Sequence, residues 1–393
     1  MKVLQLCNKP PCPPVDGGSI AMNSITQGLL LSGCQVKVLS AYSHKHPVSL
    51  SEIPNEYNFE AVYFDLKLKP FQALTCLLSG ESYHIKRFVN KEFEKKLTEV
   101  LCDSTFDVIH IESLFLTPYI ETIRKYSGAK VVLRSHNVEH FIWQQVAKSC
   151  KNPAKRWYLK HLSRTLKKYE LGHLNTYDGI VAISEKDALF FKKNGLNKPI
   201  TAIPLGISVP TLGDMPMESN SLFHLGAMDW VPNREGVEWF MENVWTLVSE
   251  RIPDVKLYLA GRKMPESFFR YGAMFPNVSV EGTIDDVVDF MAAKQINIVP
   301  LLSGSGIRVK IIEAMSLGKV VITTTVGAEG IDCEDGVHLL IADTPEMFAA
   351  QVERCINDKN LCSEIGEKAR QLIINAYSID GLTQKLIDFY KTL

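Results

Sequence analysis

The sequence predicts an α/β protein made of two doubly wound, Rossmann-like domains. Three observations carry this. Short apolar runs rich in branched residues alternate with helix-length amphipathic stretches through both halves, the pattern of parallel sheets covered by helices on both faces. A length of 393 residues suits two domains of ordinary size. Charge is split as well: residues 1–205 hold 27 Lys+Arg against 18 Asp+Glu, and residues 206–393 hold 16 against 26. A basic half and an acidic half suit domains that face different partners. The expected division is 1–205, 206–375, and a C-terminal stretch 376–393 whose helix, 380–392, falls outside the repeat and crosses back to the first domain.

In the first half, Lys2 to Cys7 reads as a strand, followed by a proline-rich loop ending in Gly17-Gly18, a helix from Ser19 to Ser32, and a strand from Gln35 to Ala41. A dinucleotide fingerprint would need G-x-G-x-x-G in that loop and an acid about 20 residues on, and the pattern is absent, which counts against a dehydrogenase. Residues 43–60 read as an irregular loop. A strand near Ala61–Leu66 and a polar helix over Glu81–Leu101 follow. Asp107 to Glu112 is another strand, Pro118–Tyr126 a helix, and Lys130–Arg134 a strand leading into Ser135-His136-Asn137-Val138-Glu139. Ligands of open parallel sheets gather at the carboxyl ends of strands, where His110 with Glu112, and His136 with Asn137 and Glu139, are placed. Residues 148–168 form a basic stretch with Lys148, Lys151, Lys155, Arg156, Lys160, Arg164, Lys167 and Lys168, interleaved with Trp157, Tyr158, Leu159 and Leu162. One strand (Thr176–Ser184), one helix (Glu185–Asn194) and a hinge-like Met215–Asn220 close the half.

The second half opens on strand Leu222–Leu225 and the turn from Gly226 to Asn233. Asp285 and Asp286 precede a helix, where capping explains them better than a metal. The most informative stretch is 296–330. An apolar run, Ile296 to Leu302, reads as a buried strand. Ser303-Gly304-Ser305-Gly306 follows, and then a helical pattern from Ile307 that ends at Gly318. A glycine turn opening a helix is a ready anion site, because unpaired N–H groups and the helix dipole both favour negative charge. Arg308 and Lys310 put two cations there, against the dipole, which makes sense if an anion sits between them. Two positions apart on a helix they would not share a face, so one of them is expected to reach the anion from the turn.

This stretch resembles the donor-binding segment of the retaining glycosyltransferases of family four, in the branch with a G-x-G-x-R-x-K-x-x-E-A-M form. Gly304, Gly306, Arg308, Lys310, Glu313, Ala314 and Met315 fit it, as do Gly318, Val320, Val321 and the following Gly327-Ala328-Glu329-Gly330. Further matches are the Gly17-Gly18 loop, Asp107 to His110, His136-Asn137-x-Glu139, Ala182 to Glu185, and Gly226-x-Met228-x-Trp230-x-Pro232-Asn233. The sequence departs from the family where Ser305 stands in place of a glutamate, where Ala227 replaces a basic residue, and where Pro204-Leu205-Gly206-Ile207 replaces Pro-Asn-Gly-Val.

The resemblance implies the GT-B fold, two domains facing across a cleft, and a retaining hexosyltransferase that takes its sugar from a nucleotide sugar. It gives the Ser305-Gly306-Ile307 backbone, Arg308 and Lys310 to the diphosphate, with Gly304, Gly226 and Asn233 close by. Glu313 falls to the ribose, and Gly17 and Gly18 back the diphosphate. His136 falls to the reacting sugar and its acceptor, with Asn137 and Glu139 beside it. It implies a glycan or lipid-linked acceptor, no cofactor and no metal. Alternatives on the same fold are a sugar-nucleotide epimerase and a nucleotide-sugar-binding protein without catalysis; Ser305 gives the last some weight. The basic stretch favours a transferase whose first domain rests on an anionic membrane surface, since an epimerase needs no membrane. No apolar run approaches 18 residues, no secretion signal is read at residues 1–7, and nine cysteines without C-x-x-C suit reduced cytoplasmic thiols. Neither zinc-ligand spacing nor any sign of nucleic-acid binding is read.

Overall fold

The computed structural model describes residues 1–211, 216–304 and 307–393. The chain divides into two units, Met1–Gly206 with Ile379–Leu393, and Ile207–Ser378.

Unit 1 begins β1 (Lys2–Cys7), α1 (Gly17–Leu31), β2 (Gln35–Tyr42), β3 (Phe59–Tyr63), α2 (Pro70–Ser79), α3 (Tyr83–Lys86), α4 (Lys91–Asp103) and β4 (Val108–Ile111). It continues α5 (Ile120–Tyr126), β5 (Lys130–Ser135), α6 (Glu139–Ser149), α7 (Pro153–Gly172), β6 (Gly179–Ala182), α8 (Glu185–Lys193) and β7 (Ile200–Ala202). Its seven strands are all parallel, in the order β3-β2-β1-β4-β5-β6-β7. β1, β4, β5 and β6 are buried along nearly their whole length, as expected of strands covered on both faces. The order reverses between β1 and β4, and a doubly wound sheet opens a crevice at such a point.

Unit 2 runs β8 (Ser221–Leu225), α9 (Val231–Asn243), α10 (Trp245–Arg251), β9 (Lys256–Ala260), α11 (Glu266–Met274), β10 (Val278–Gly282), α12 (Val287–Ala292) and β11 (Ile296–Val299). Then come α13 (Val309–Ser316), β12 (Val320–Thr323), α14 (Thr325–Ala328), β13 (Leu340–Ile341), α15 (Pro345–Asn357) and α16 (Lys359–Tyr377). Its parallel sheet has the order β10-β9-β8-β11-β12-β13, with the reversal between β8 and β11. A core around Phe240, Trp245, Phe268 and Phe348 fills one face of this sheet.

The last helix, α17 (Ile379–Lys391), belongs to unit 1. Its Leu382, Leu386, Ile387 and Tyr390 join Met22, Ile25 and Leu29 of α1 in one core cluster.

The structure differs from the sequence reading at several elements. The helix expected over Glu81–Leu101 is two helices, because Asn90 caps a fresh start by accepting from the Glu92 and Phe93 amides. The strand expected near Ala61–Leu66 is Phe59–Tyr63 and the one over Thr176–Ser184 is Gly179–Ala182. The helix expected from Ile307 begins at Val309. Asp286 caps α12, its carboxylate accepting from the Asp289 amide at 2.9 Å. Ser305 and Gly306 of the glycine turn, and Met215 of the hinge, lie outside the described residues.

Candidate active site

In unit 2 the crevice lies at the carboxyl ends of β8 and β11. β8 delivers His224 and Gly226, and the chain after β11 delivers Gly304 and then α13. Arg308 is the N-cap of α13 in extended backbone, so it reaches from the turn, while Lys310 is on the helix. This meets the constraint that two helical residues at that spacing would not face one anion. The Lys310 ammonium donates to Asn233 Oδ1 at 2.6 Å and lies 3.4 Å from His224 Nε2. His224 Nδ1 is 2.9 Å from the Ile298 carbonyl, which can only accept, so Nδ1 carries the proton and Nε2 presents its lone pair to the lysine. Burial, and then the charge of Lys310, keep His224 well below the usual histidine range. Burial first, and then the Arg308 charge, push Lys310 down to about 7, against a smaller opposing pull from Glu313.

Two glycines are required by this packing. Gly304 has φ +121, and a Cβ there would lie 3.1 Å from the Trp230 ring and 3.2 Å from Arg308 Nη2. A Cβ on Gly226 would lie 2.6 Å from Lys310 Nζ and 2.7 Å from Asn233 Nδ2. Arg308 is buried, its guanidinium 5.6 Å from the Trp230 ring centroid and facing the charge of Glu329. Ile307 packs near Gly330. Glu313 is half-buried one turn along α13, its carboxyl raised by burial and partly restored by Lys310. Arg308, Lys310, Glu313, Asn233, Gly226 and Gly304 therefore meet around one helix N-terminus.

In unit 1 the crevice between β1 and β4 holds a buried carboxylate. Glu112, fully buried, follows β4. Its Oε1 accepts from Gln5 Nε2 at 2.7 Å and lies 3.4 Å from His110 Nε2, and its Oε2 lies 2.9 Å from His136 Nε2 and 3.7 Å from Arg134 Nε. Burial alone would raise this carboxyl, but His110, His136 and Arg134 hold it far below the usual carboxylate range. Thr26 donates to Gln5 Oε1 at 2.6 Å, and the Tyr390 hydroxyl is 2.6 Å from His110 Nδ1. Burial and the Glu112 charge keep Tyr390 protonated, so Tyr390 donates to Nδ1 and His110 turns its Nε2–H to Glu112. His136 is 18% exposed. Burial lowers its pKa more than Glu112 raises it, so the ring is neutral, with Nε2–H on Glu112 and Nδ1 left as an acceptor.

The other expected site residues of unit 1 are placed as follows. Asn137 is half-buried in the turn after β5, its carbonyl accepting from Ser135 Oγ. Glu139 opens α6, where burial, reinforced by Glu170, raises its carboxyl to about 8. Glu170 caps that helix, accepting from the Glu139 amide at 2.9 Å and lying 2.5 Å from His140 Nδ1. Gly17 and Gly18 open α1, whose N-terminus is already served by Asp16, paired with Lys9 at 2.5 Å. Sequence reasoning missed His224, Gln5, Thr26, Arg134 and Tyr390 as site residues. Only His224 had a local signal, a polar residue inside an otherwise apolar strand next to the Gly226 turn. Among the described residues, no group of three His, Cys, Asp or Glu side chains is arranged to hold a metal ion.

Comparison with known proteins agrees with this architecture. Residues 219–358 match the family model described as glycosyl transferases group 1. A protein of Klebsiella pneumoniae described as an uncharacterized 44.6 kDa protein in a cps region is 23% identical over 300 residues, covering 72% of each chain. Among solved structures, Anabaena HepE in complex with UDP superimposes with a TM-score of 0.67 at 13% identity, over 100% of both chains. Sucrose-phosphate synthase from Thermosynechococcus elongatus superimposes with a TM-score of 0.70 at 15% identity, over 100% of this chain and 99% of the other. The second unit thus matches the group 1 glycosyl transferase model over residues 219–358, and the chain has the fold of two Rossmann-like domains seen in GT-B glycosyltransferase structures.

Proposed function

We propose that the protein transfers a hexosyl group from a nucleoside diphosphate sugar to a glycan or lipid-linked acceptor, with retention at the anomeric carbon, in building a polysaccharide or glycoconjugate. The observation that carries this is the pair Arg308 and Lys310 at one helix N-terminus. The helix dipole and their mutual repulsion both disfavour two cations there, and an anion between them removes both penalties. A diphosphate is that anion. Glu313, one turn along, is suited to accept two hydrogen bonds from ribose hydroxyls. The description of HepE as a UDP complex and of the Klebsiella relative by its cps region supports the same substrate class.

In the transfer, the bond from the anomeric carbon to the diphosphate oxygen breaks as the acceptor oxygen bonds to that carbon on the same face. The acceptor proton passes to the departing phosphate oxygen. Arg308, Lys310 and the α13 amides stabilise the charge that grows on the phosphate. In unit 1, Glu112 fixes the His136 tautomer, and Nδ1 accepts a hydrogen bond from a hydroxyl of the reacting sugar. Every step is thus assigned to the chain's own residues and the two substrates.

The test is incubation with labelled UDP-hexoses, with and without an extract of glycan acceptors, and assignment of the product anomer by NMR. Transfer that depends on acceptor and keeps the donor configuration is expected. Inversion would overturn retention. Interconversion of the sugar without acceptor would indicate an epimerase, and binding without turnover a non-catalytic protein.

A further inference from the structure

In unit 1 the loops after β1, β2 and β3 enclose a cavity of about 330 Å³ at the carboxyl ends of three neighbouring strands. That is the lower end of the size usual for small-ligand sites. Asn8 and Lys9 follow β1, residues 43–46 follow β2, and residues 65–67 follow β3, while Arg87 and Phe88 close one side just after α3. Two walls are fixed. In the turn at 43–46 the Ser43 amide donates to the His46 carbonyl at 3.0 Å and the His46 amide to the Ser43 carbonyl at 3.1 Å. Phe88 is buried and stacked on Phe115, with ring centroids 5.1 Å apart.

Charge in this cavity is unbalanced. Its lining holds the cations Lys9, Lys45, Lys67 and Arg87 and one acid, Asp65. Lys9 is paired with Asp16 at 2.5 Å, and Asp65 with Lys69 at 3.3 Å. Glu81, outside the lining, is paired with Lys86 at 3.5 Å. Lys45, Lys67 and Arg87 have no ion-pair partner among the described residues. Arg87 is held in place: it donates through Nη2 to the Leu66 carbonyl, and its guanidinium carbon lies 5.9 Å from the Tyr83 ring centroid. Burial lowers the His46 pKa, and Lys9 and Lys45 lower it further against the pull of Asp16, so His46 adds no charge at neutral pH. Three unpaired cations around one concavity repel each other, and a cleft of one sign gathers counter-ions. Tyr63 lines the same cavity at 39% exposure, its ring steadied edge-on by Tyr42 at 5.4 Å and His44 at 5.6 Å. An aromatic face beside Asn8 and the cations suits a sugar ring, which is apolar on its C–H face and a hydrogen-bonding group at its rim.

We propose that this cavity binds an acidic sugar: the ring lies on Tyr63, and its phosphate or carboxylate is held by Arg87, Lys67 and Lys45. The sugar is part of the acceptor. The cavity lies on the same rim of the sheet as Glu112 and His136, with β2 three strand spacings, about 14 Å, from the β5 end that carries His136. The acid group is therefore held away from the reacting hydroxyl and fixes the acceptor's register. Its role as acceptor rests on the transfer reading given above, whereas its binding is measured without any transfer.

The experiment is titration of the full chain with glucose 6-phosphate, glucuronic acid, glucose and inorganic phosphate, followed by NMR of the ligand. At least one of the two acidic sugars is expected to bind about tenfold or more tighter than glucose, and to weaken with salt; the tighter of the two tells phosphate from carboxylate. Arg87→Ala, on a chain of unchanged circular dichroism, is expected to lose about tenfold to a hundredfold. Lys45→Ala with Lys67→Ala, both at exposed positions, is expected to lose about tenfold or more. Lys310→Ala, in unit 2, is expected to leave this binding unaltered. Glucose binding as tightly as both acidic sugars, neither acidic sugar binding, or inorganic phosphate binding as tightly as the acidic sugar would overturn the proposal. So would binding that Lys310→Ala weakens and the cavity variants do not. A chain that binds the acidic sugar through Arg87 but transfers nothing from a nucleotide sugar would refute the transferase and leave this site standing.

Discussion

Lys310 offers a sharp test of the donor site, because its charge is poised. Burial and Arg308 push it down to about 7, so at neutral pH the empty site holds the ammonium about half the time. A bound diphosphate restores the ordinary lysine range. Binding of a nucleotide sugar at pH 8 should therefore take up close to one proton, about 0.9 by simple titration of a group at 7. Above pH 7 the affinity should fall toward tenfold per pH unit, since each unit costs about 1.36 kcal/mol to re-protonate the lysine. The sugar-linked diphosphate has no terminal phosphate to titrate, so it is the ligand to use. Lys310→Ala removes a charged hydrogen bond of about 1.5–3 kcal/mol, a loss of about tenfold to a hundredfold. That loss should be largest below pH 7, and the variant should bind without proton uptake. Free nucleoside, which carries no phosphate, should bind both forms alike. Calorimetry at pH 6.5 and 8, in two buffers of different ionisation enthalpy, reads both quantities. Wild-type binding without proton uptake at pH 8, or a Lys310→Ala variant that loses nucleoside as strongly as diphosphate, would refute the assignment.

Three further predictions follow from the same geometry. Glu313→Ala should weaken nucleoside and diphosphate by the same factor, since the ribose is common to both, as calorimetry on the two ligands would show. His136→Ala should lower turnover by about tenfold or more while leaving nucleotide affinity unchanged, within the usual range for a positioned polar group. Glu112→Gln should cost about 3–5 kcal/mol near pH 7, because it leaves buried Arg134 without its counter-charge. Glu112 has a depressed folded-state pKa, so its stabilisation is complete above the ordinary carboxylate range and is lost as pH falls through that range toward the folded value. Urea midpoints of wild type and Glu112→Gln should therefore stay apart down to about pH 5 and converge below it, and a gap that stays constant from about pH 5 to about pH 2.5 would count against the network.

Much of the architecture was legible because parallel strands buried on both faces spell themselves out. Val108–Ile111 and Ile296–Val299 are buried at every residue and read as apolar runs. The donor segment was legible because its parts are close in sequence, from Gly304 to Glu313. The unit 1 network was legible only in part: His110, Glu112 and His136 were placed at strand ends, but Gln5, Thr26, Arg134 and Tyr390 were not. Gln5, Glu112, His136 and Tyr390 are gathered from three strand ends and a helix 280 residues away from His110. No spacing rule links residues brought together only by the sheet order. Helix α2 was missed for a different reason. With its large residues facing outward, its apolar periodicity belongs to the exposed side, and Pro70 at its start resembles a loop.

The return of α17 to unit 1 also sets an order of assembly. Unit 2 is one unbroken segment, and all its partners exist once residue 378 has been made. Unit 1 is complete only when residues 379–393 have left the ribosome, although its first 206 residues were made long before. During that interval the apolar side of α1 at Met22, Ile25 and Leu29 lacks Leu382 and Leu386, and His110 lacks the hydroxyl of Tyr390. The half of the molecule synthesised first is thus the half finished last, and a nascent chain halted within unit 2 would carry an unfinished unit 1 as its target for chaperones and proteases.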